Sequence, residues 1–263
     1  MRARRVLLAA LGLVLLVAGC GDDQPAERQP GAATPIVPAS PSVQPDPAPS
    51  PTRTSRPKPR LRPEPTALPA GLRRTTGVRR VALTFDDGPD PTWTPKVLDQ
   101  LRAGRVKATF CLVGTEVRQH PELVRRIVRE GHQLCNHSWR HDFELGRRPV
   151  AEIRADLVRT NQAIRAAVPD AKVPFYRQPG GRWTPEVVAV AKQLGMRSLH
   201  WSVDPQDWAK PKAPVLEKRV LGGVRPGAIV LMHDGGGDRS RTLAACPRVI
   251  ADLNRRFGIA PPR

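Results

Sequence analysis

Over most of the chain, short apolar runs alternate with longer amphipathic stretches. Val81-Ala82-Leu83-Thr84-Phe85 is bounded by arginines on one side and Gly88-Pro89 on the other, the pattern of a buried strand within 78–86. Apolar runs of the same kind predict strands over 106–113, 132–136, 173–177, 196–203 and 228–232. Between them, helical spacing predicts helices over 94–103, 121–130, 149–168, 184–194, 214–221 and 239–256. Thr94-Pro95 and Thr184-Pro185 read as helix starts, with threonine as N-cap and proline at the first position, and Gly131 and Gly195 read as stops. Strict strand–helix alternation with nearly continuous apolar strands predicts a parallel α/β architecture with the helices outside. Six strands and six helices suit an incomplete barrel.

The pattern fails before residue 78. Arg2, Arg4 and Arg5 precede an apolar run of 13 residues over 6–18, short of the ~20 that a membrane span needs. A basic head and a short apolar stretch read as a secretory signal. It ends in Val17-Ala18-Gly19-Cys20, which resembles the bacterial lipobox. That resemblance implies lipidation of Cys20 and an anchor on the extracytoplasmic face of the cell membrane, facing the wall. Residues 21–77 show no hydrophobic periodicity, and 14 prolines fall within 21–70. Such a segment cannot build a core and reads as a disordered, partly polyproline-II tether, with an upper reach of roughly 180 Å at ~3.1 Å per residue. The organisation expected is therefore a lipoprotein signal over 1–20, a linker over 21–77 and one folded domain over 78–263.

Charge changes this picture little. The net charge is +19, and the folded portion holds 32 Lys+Arg against 19 Asp+Glu. Such an excess suits nucleic acid or an anionic surface. It is spread over helical stretches such as 124–129, and no RNA-binding signature accompanies it. A solvated basic face is the reading favoured, and no nucleic-acid partner is expected.

The chemistry-bearing residues gather at the carboxyl ends of the predicted strands, where α/β folds place their sites. They are Asp86-Asp87-Gly88-Pro89, His137-Ser138-Trp139-Arg140-His141, Arg177-Gln178-Pro179-Gly180-Gly181, Asp204-Pro205-Gln206-Asp207-Trp208 and His233-Asp234. Histidines at i and i+4 share one face of a helical turn and can hold one ion. An aspartate from another strand end completes a two-His, one-carboxylate set with open positions. Of two adjacent aspartates, one can ligate while the other accepts a proton. Asp-Asp-Gly-Pro alone is a turn; its coincidence with four other polar strand ends makes it a site.

These segments resemble the motifs of the NodB-homology polysaccharide deacetylases, carbohydrate esterase family 4: T-F-D-D-G-P at 84–89, H-[ST]-x-x-H at 137–141, R-x-P-[YFG]-G at 177–181, D-x-x-D-W at 204–208 and L-x-H at 231–233. The resemblance implies a distorted (β/α) barrel that hydrolyses acetyl groups from amino sugars. It implies Asp87, His137 and His141 as ligands of one divalent metal, zinc first and cobalt or another ion as alternatives. It implies Asp86 as general base, Arg177 as its ion-pair partner, His233 as general acid, Asp204 as the carboxylate supporting His233, and the Gly180 N–H as an oxyanion donor. Two departures stand out. Gly180 replaces the aromatic usual in the third motif, so Trp183 is expected to supply the missing cleft wall. The chain also stops soon after Gly258-Ile259-Ala260, so the barrel is expected to lack its last strand and to be open on one side.

Trp208, Trp183 and Trp139 are candidate sugar platforms, because pyranose rings present apolar faces; Trp201, inside a strand, is assigned to the core. His120, His132 and His200 have no partner at ligand spacing and are read as structural. Cys111 and Cys135 fall on adjacent strands of such a barrel and are either a disulfide or two buried thiols. Cys246 is read as a helix residue turned inward. The activity expected is deacetylation of a cell-wall glycan, most directly peptidoglycan N-acetylglucosamine, by an anchored monomer. Chitooligosaccharide, acetylxylan and a catalytically silent wall-binding role are the alternatives.

Overall fold

The computed structural model describes residues 61–263; the expected signal segment, Cys20 and the expected linker up to residue 60 lie outside the described residues. The elements are β1 (Ala82–Asp86), α1 (Thr94–Ala103), β2 (Thr109–Leu112), α2 (Gly114–Gln119), α3 (Pro121–Arg129), β3 (Gln133–Asn136), α4 (Val150–Ala167), β4 (Phe175–Tyr176), α5 (Pro185–Gln193), β5 (Arg197–Ser198), α6 (Ala213–Gly223), β6 (Ile229–His233) and α7 (Ser240–Phe257). The six strands are parallel, in the order β5-β4-β3-β2-β1-β6. The alternation of apolar runs and amphipathic stretches therefore reports the architecture correctly. Only α2 escapes the pattern, since its six residues bury just Gly114 and Val117.

The central strands β1, β2 and β6 are buried on both faces, which is why they read as nearly continuous apolar sequence. One face meets the helices through Val81, Leu83, Phe85, Phe110, Leu112 and Leu134, part of the main core. The other carries a smaller cluster of Ala82, Cys111, Cys135, Phe175, Leu199 and Ile229. Cys111 and Cys135 are register partners on β2 and β3, 4.2 Å apart at Cα, and form a disulfide there. Cys246 is buried on α7.

The expected open side is closed by segments that are not regular strands. Ser202 and Val203 donate backbone hydrogen bonds to Ile229 O, and Leu231 donates to Val203 O, so the chain beyond β5 returns to the free edge of β6. Residues 71–77, assigned by composition to the linker, belong to the barrel. Arg73 bridges Leu199, Thr75 bridges Ala228, and Thr76 N–H donates to Gly227 O at 2.8 Å. The C-terminal Ile259 bridges Val81. Covering both edges satisfies backbone groups that an open sheet would leave unpaired.

Of the two predicted threonine caps, Thr184 accepts from Val187 N–H as expected. Thr94 does not cap: the N-cap position is Trp93. The Thr94 hydroxyl instead accepts from Asp90 N–H at 2.8 Å and donates to Asp234 Oδ2 at 2.6 Å.

Candidate active site

A cavity of about 900 Å³ opens at the carboxyl ends of the strands, lined by Asp86, Asp87, His137, His141 and His233, with Trp208 at its mouth. β1 ends in Asp86, and the chain then turns through Asp87 at φ +74°. Between His137 and His141 the chain is a loop, not a helical turn, with Ser138 at φ +66° and His141 at φ +55°. Left-handed backbone at non-glycine residues is costly and concentrates where side chains must converge. Here it brings His141 Nε2 to 3.1 Å and His137 Nε2 to 3.4 Å from Asp87 Oδ1.

That trio fits a divalent cation. Asp87 Oδ1 is buried and makes no hydrogen bond, an arrangement that a cation would complete. Burial pushes the Asp87 carboxyl up, but the histidines His137 and His141, with the charge of His233, outweigh it and hold it well below the usual carboxylate value. His137 Nδ1 lies 2.8 Å from the Arg177 carbonyl. Nδ1 therefore carries the proton and Nε2 presents its lone pair, the tautomer a ligand needs. One carboxylate and two imidazoles with open positions form a catalytic donor set rather than a closed structural one.

Asp86 has a separate partner. Arg177 is fully buried; its Nη1 donates to Asp86 Oδ1 at 2.6 Å and to Thr84 Oγ1 at 2.8 Å. Nε and Nη2 donate to the carbonyls of Leu199 and His200. A guanidinium fixed from all sides pins Asp86 with Oδ2 3.6 Å from His137 Nε2.

The partner of His233 corrects the sequence reading. Asp204 is exposed, and its Oδ1 accepts from Gln206 N–H in a local turn. Gln206, at φ +57°, reverses the chain and delivers Asp207 to β6. Asp207 Oδ1 lies 2.7 Å from His233 Nδ1, while Oδ2 accepts from His233 N–H and the Thr242 hydroxyl. Burial would lower the His233 pKa, but Asp207 and the nearby Asp87 and Asp86 charges lift it to about 9. Both aspartates sit in the same short loop, so only the backbone reversal distinguishes them.

The aromatic assignments change too. Trp208 is exposed at the cavity mouth. Trp183 is buried against Tyr176 and His200, and Trp139 is buried beneath the Arg159 guanidinium; neither lines the cavity. Trp201, assigned to the core, is half-buried and does line it. The wall missing at Gly180 is supplied by Phe143: a Cβ on Gly180 would meet the Phe143 ring at 2.4 Å. Phe143 is 46% exposed, and its ring stands edge-on to His141 at 4.8 Å. Its signal in the sequence was its position two residues after His141. Gly180 itself, at φ +61°, sits on the cavity rim.

Asp234 was noted beside His233 without a role, and Arg239 was not noted at all. Asp234 is buried under the Asp86–Pro89 loop, and burial first, then the Asp87 and Asp86 charges, push it up to about 7. Arg239 donates to the carbonyls of Gly235 and Gly236, and a Cβ on Gly236 would lie 2.5 Å from Asp87 Oδ2. Glycine there lets the backbone close over Asp87. The histidines read as structural stay apart from the site: His132 accepts from Ala108 N–H, and burial lowers both His132 and His200 to about 4.

Residues 73–199 match the polysaccharide deacetylase family profile. A chitooligosaccharide deacetylase of Bradyrhizobium is 45% identical over 198 residues, covering 71% of this chain and 90% of that protein. A peptidoglycan-N-acetylglucosamine deacetylase of Bacillus cereus is 36% identical, covering 67% and 82%. Among solved structures, the peptidoglycan N-acetylglucosamine deacetylase Bc1960 superposes with a TM-score of 0.69 at 31% identity, over 73% of this chain and 90% of that one. A Bacillus anthracis protein described as a pseudoenzyme of carbohydrate esterase family 4 superposes with 0.67 at 31% identity, over 74% and 68%.

Proposed function

This chain belongs to the polysaccharide deacetylase family, and from that premise we propose that it removes N-acetyl groups from a cell-wall glycan, with peptidoglycan N-acetylglucosamine as the substrate. The observation that carries this is the pairing of two differently supported groups on one cavity: Asp86 pinned by Arg177, and His233 by Asp207. Asp87, His137 and His141 would hold the metal, zinc by the mixed carboxylate–imidazole set with cobalt as a substitute. When bound, the ion polarises the acetyl carbonyl and acidifies a water.

The chain's own residues supply the proton transfers. Asp86 accepts the proton of the attacking water; Arg177 fixes which oxygen faces it. His233, charged through Asp207, delivers a proton to the amine nitrogen as the C–N bond breaks. The Gly180 N–H, on the rim, is the backbone donor for the developing oxyanion. Phe143, Trp201 and Trp208 offer apolar faces to pyranose rings.

Likeness to a pseudoenzyme means that the fold alone does not decide activity. A silent binder has no use for a pinned base, a supported acid and a complete ligand trio together. Chitooligosaccharide is the second reading, supported by the 45% identical relative. Peptidoglycan is preferred because the lipobox-like Val17-Ala18-Gly19-Cys20 would anchor the domain by a lipid at Cys20 between membrane and wall. The deciding measurement is acetate release from peptidoglycan, N-acetylchitooligosaccharides and acetylated xylan, with and without chelator. Release only from peptidoglycan, abolished by chelator, is the expected result; none from any substrate would leave the wall-binding role.

A further inference from the structure

The opposite end of the barrel carries a different distribution of charge. Parallel strands joined by helices place every loop that leads into a strand at that end. Those loops hold Arg79 and Arg80 before β1, Arg105 and Lys107 before β2, Lys172 before β4, and Arg197 at the start of β5, all of them exposed. None forms an ion pair among the described residues. Residues 73–76 lie across the same end, through the bridges of Arg73 to Leu199 and Thr75 to Ala228, and add Arg73 and Arg74. Arg73, Arg74 and Arg197 line an open depression of about 370 Å³ that no carboxylate enters.

The acidic residues of these loops are few. Glu130 is already paired with Arg126 at 2.7 Å, which leaves Asp170. Burial and the neighbouring Arg73 charge both pull Arg197 below the usual arginine value. Cations at helix C-termini answer the helix dipole and need no other explanation. That account covers Arg105 after α1 and Arg197 after α5. It does not cover Arg73, Arg74, Arg79 and Arg80, which follow no helix. Arg73 and Arg74 line one depression and Arg79 and Arg80 another; like charges on one face without ion-pair partners repel one another, and a phosphate-bearing surface would relieve that repulsion.

We propose that this end of the barrel docks on anionic phospholipid headgroups. The proposal builds on the anchoring reading, which brings the domain to a bilayer, but its physical basis is independent of any lipid on Cys20. Arginine matches phosphate geometry through paired donors, and the cations are spread over the loops of β1, β2, β4 and β5 as a surface rather than sunk in one pocket. Docked this way, the catalytic cavity at the other end faces away from the membrane, toward the wall.

The test uses the full chain carrying Cys20→Ser, so that no lipid tail contributes, sedimented with phosphatidylglycerol–phosphatidylcholine vesicles or with phosphatidylcholine vesicles alone. The N-terminal apolar segment is common to all variants and cancels. One variant replaces Arg74, Arg79, Arg80 and Lys172 by Gln; these are exposed and unpaired, so the fold is undisturbed. A control replaces Lys210, Lys212, Lys218 and Arg241, exposed cations elsewhere, by Gln. At about fivefold per cation near an anionic surface, the first variant should bind anionic vesicles ~100-fold or more weakly than the parent, and the control far less so. Parent binding to anionic vesicles should also fall steeply with added salt, a readout that needs no variant. Equal losses in the two variants would reduce the effect to net charge and overturn the proposal. So would a parent that binds soluble polyphosphate tightly yet ignores vesicle charge, which would assign the surface to an anionic wall polymer.

Discussion

The two ends of the barrel use the same residue type in opposite ways. At the carboxyl ends of the strands, Arg177 is fully buried and every donor group has a partner. At the other end, Arg74, Arg79 and Arg80 are exposed and form no ion pair among the described residues. Burial makes a guanidinium a positioning device, because an unpaired buried charge is prohibitive and the surroundings must be built to hold it. Exposure leaves it free to act through its field alone. A count of net charge adds the two populations together and sees neither role.

If the carboxyl end works as a held constellation, disrupting it should cost far more than changing anything at its rim. The largest effect is expected from His137→Ala, which removes a proposed ligand and the link to the Arg177 carbonyl. Acetate release should fall to the chelator-treated level while unfolding stays cooperative, since an open three-ligand site is not the folding core. Activity surviving in that variant would break the metal assignment.

Asp86→Asn comes next, with a loss of roughly 10²–10⁴ in kcat. Cobalt or zinc content, measured on the same sample, should stay near one per chain, because Asp87 and not Asp86 belongs to the trio proposed to hold the ion. Metal loss in parallel with activity would merge the two aspartates into one role.

Asp207→Asn separates the structural reading from the motif reading. The His233 pKa, raised to about 9, keeps it charged across neutral pH. Without Asp207, the alkaline limb of kcat/KM should move down toward the ordinary histidine value of about 6.5. The stability sign is the same. A raised folded-state pKa contributes fully below about 6.5 and is lost as pH rises through about 9, so the parent's melting temperature should decline over that window more than the variant's. Asp204→Asn should leave the limb in place; a shift there, and not in Asp207→Asn, would restore the first aspartate of the motif as the partner.

The smallest effect is expected at the rim. Phe143→Ala removes the ring that stands against Gly180 and His141. Its signature should be a KM for oligosaccharides higher by about 2- to 13-fold, the range of one lost aromatic contact, with kcat changed less. A fall in kcat alone would mean that the ring positions His141 rather than the sugar.

Much of this site was legible in the residues. Asp86, Asp87, His137, His141, Arg177 and His233 come together where strand ends were expected, because a parallel α/β fold gathers its strand ends and each of these residues follows an apolar run. What misled was local direction. Asp204 and Asp207 are chemically identical, and the choice rests on one left-handed residue, Gln206. Trp139, Trp183 and Trp201 differ in which face of their segment meets the cavity, and motif proximity does not report a face. Residues 71–77 read as linker because they lack periodicity, yet they complete the barrel through backbone hydrogen bonds, which any side chain can make.

The chain by itself determined the alternation of strands and helices apart from α2, the family motifs and the three residues that could hold an ion, because each depends on residue type at fixed spacing. Tertiary structure alone decided which carboxylate reaches His233, which aromatic walls the cavity, how the free sheet edges are covered, and that arginines from separate loops, without ion pairs among the described residues, share the end away from the catalytic groups. These depend on backbone reversals and on distances between segments far apart in sequence, and a linear pattern carries no measure of either.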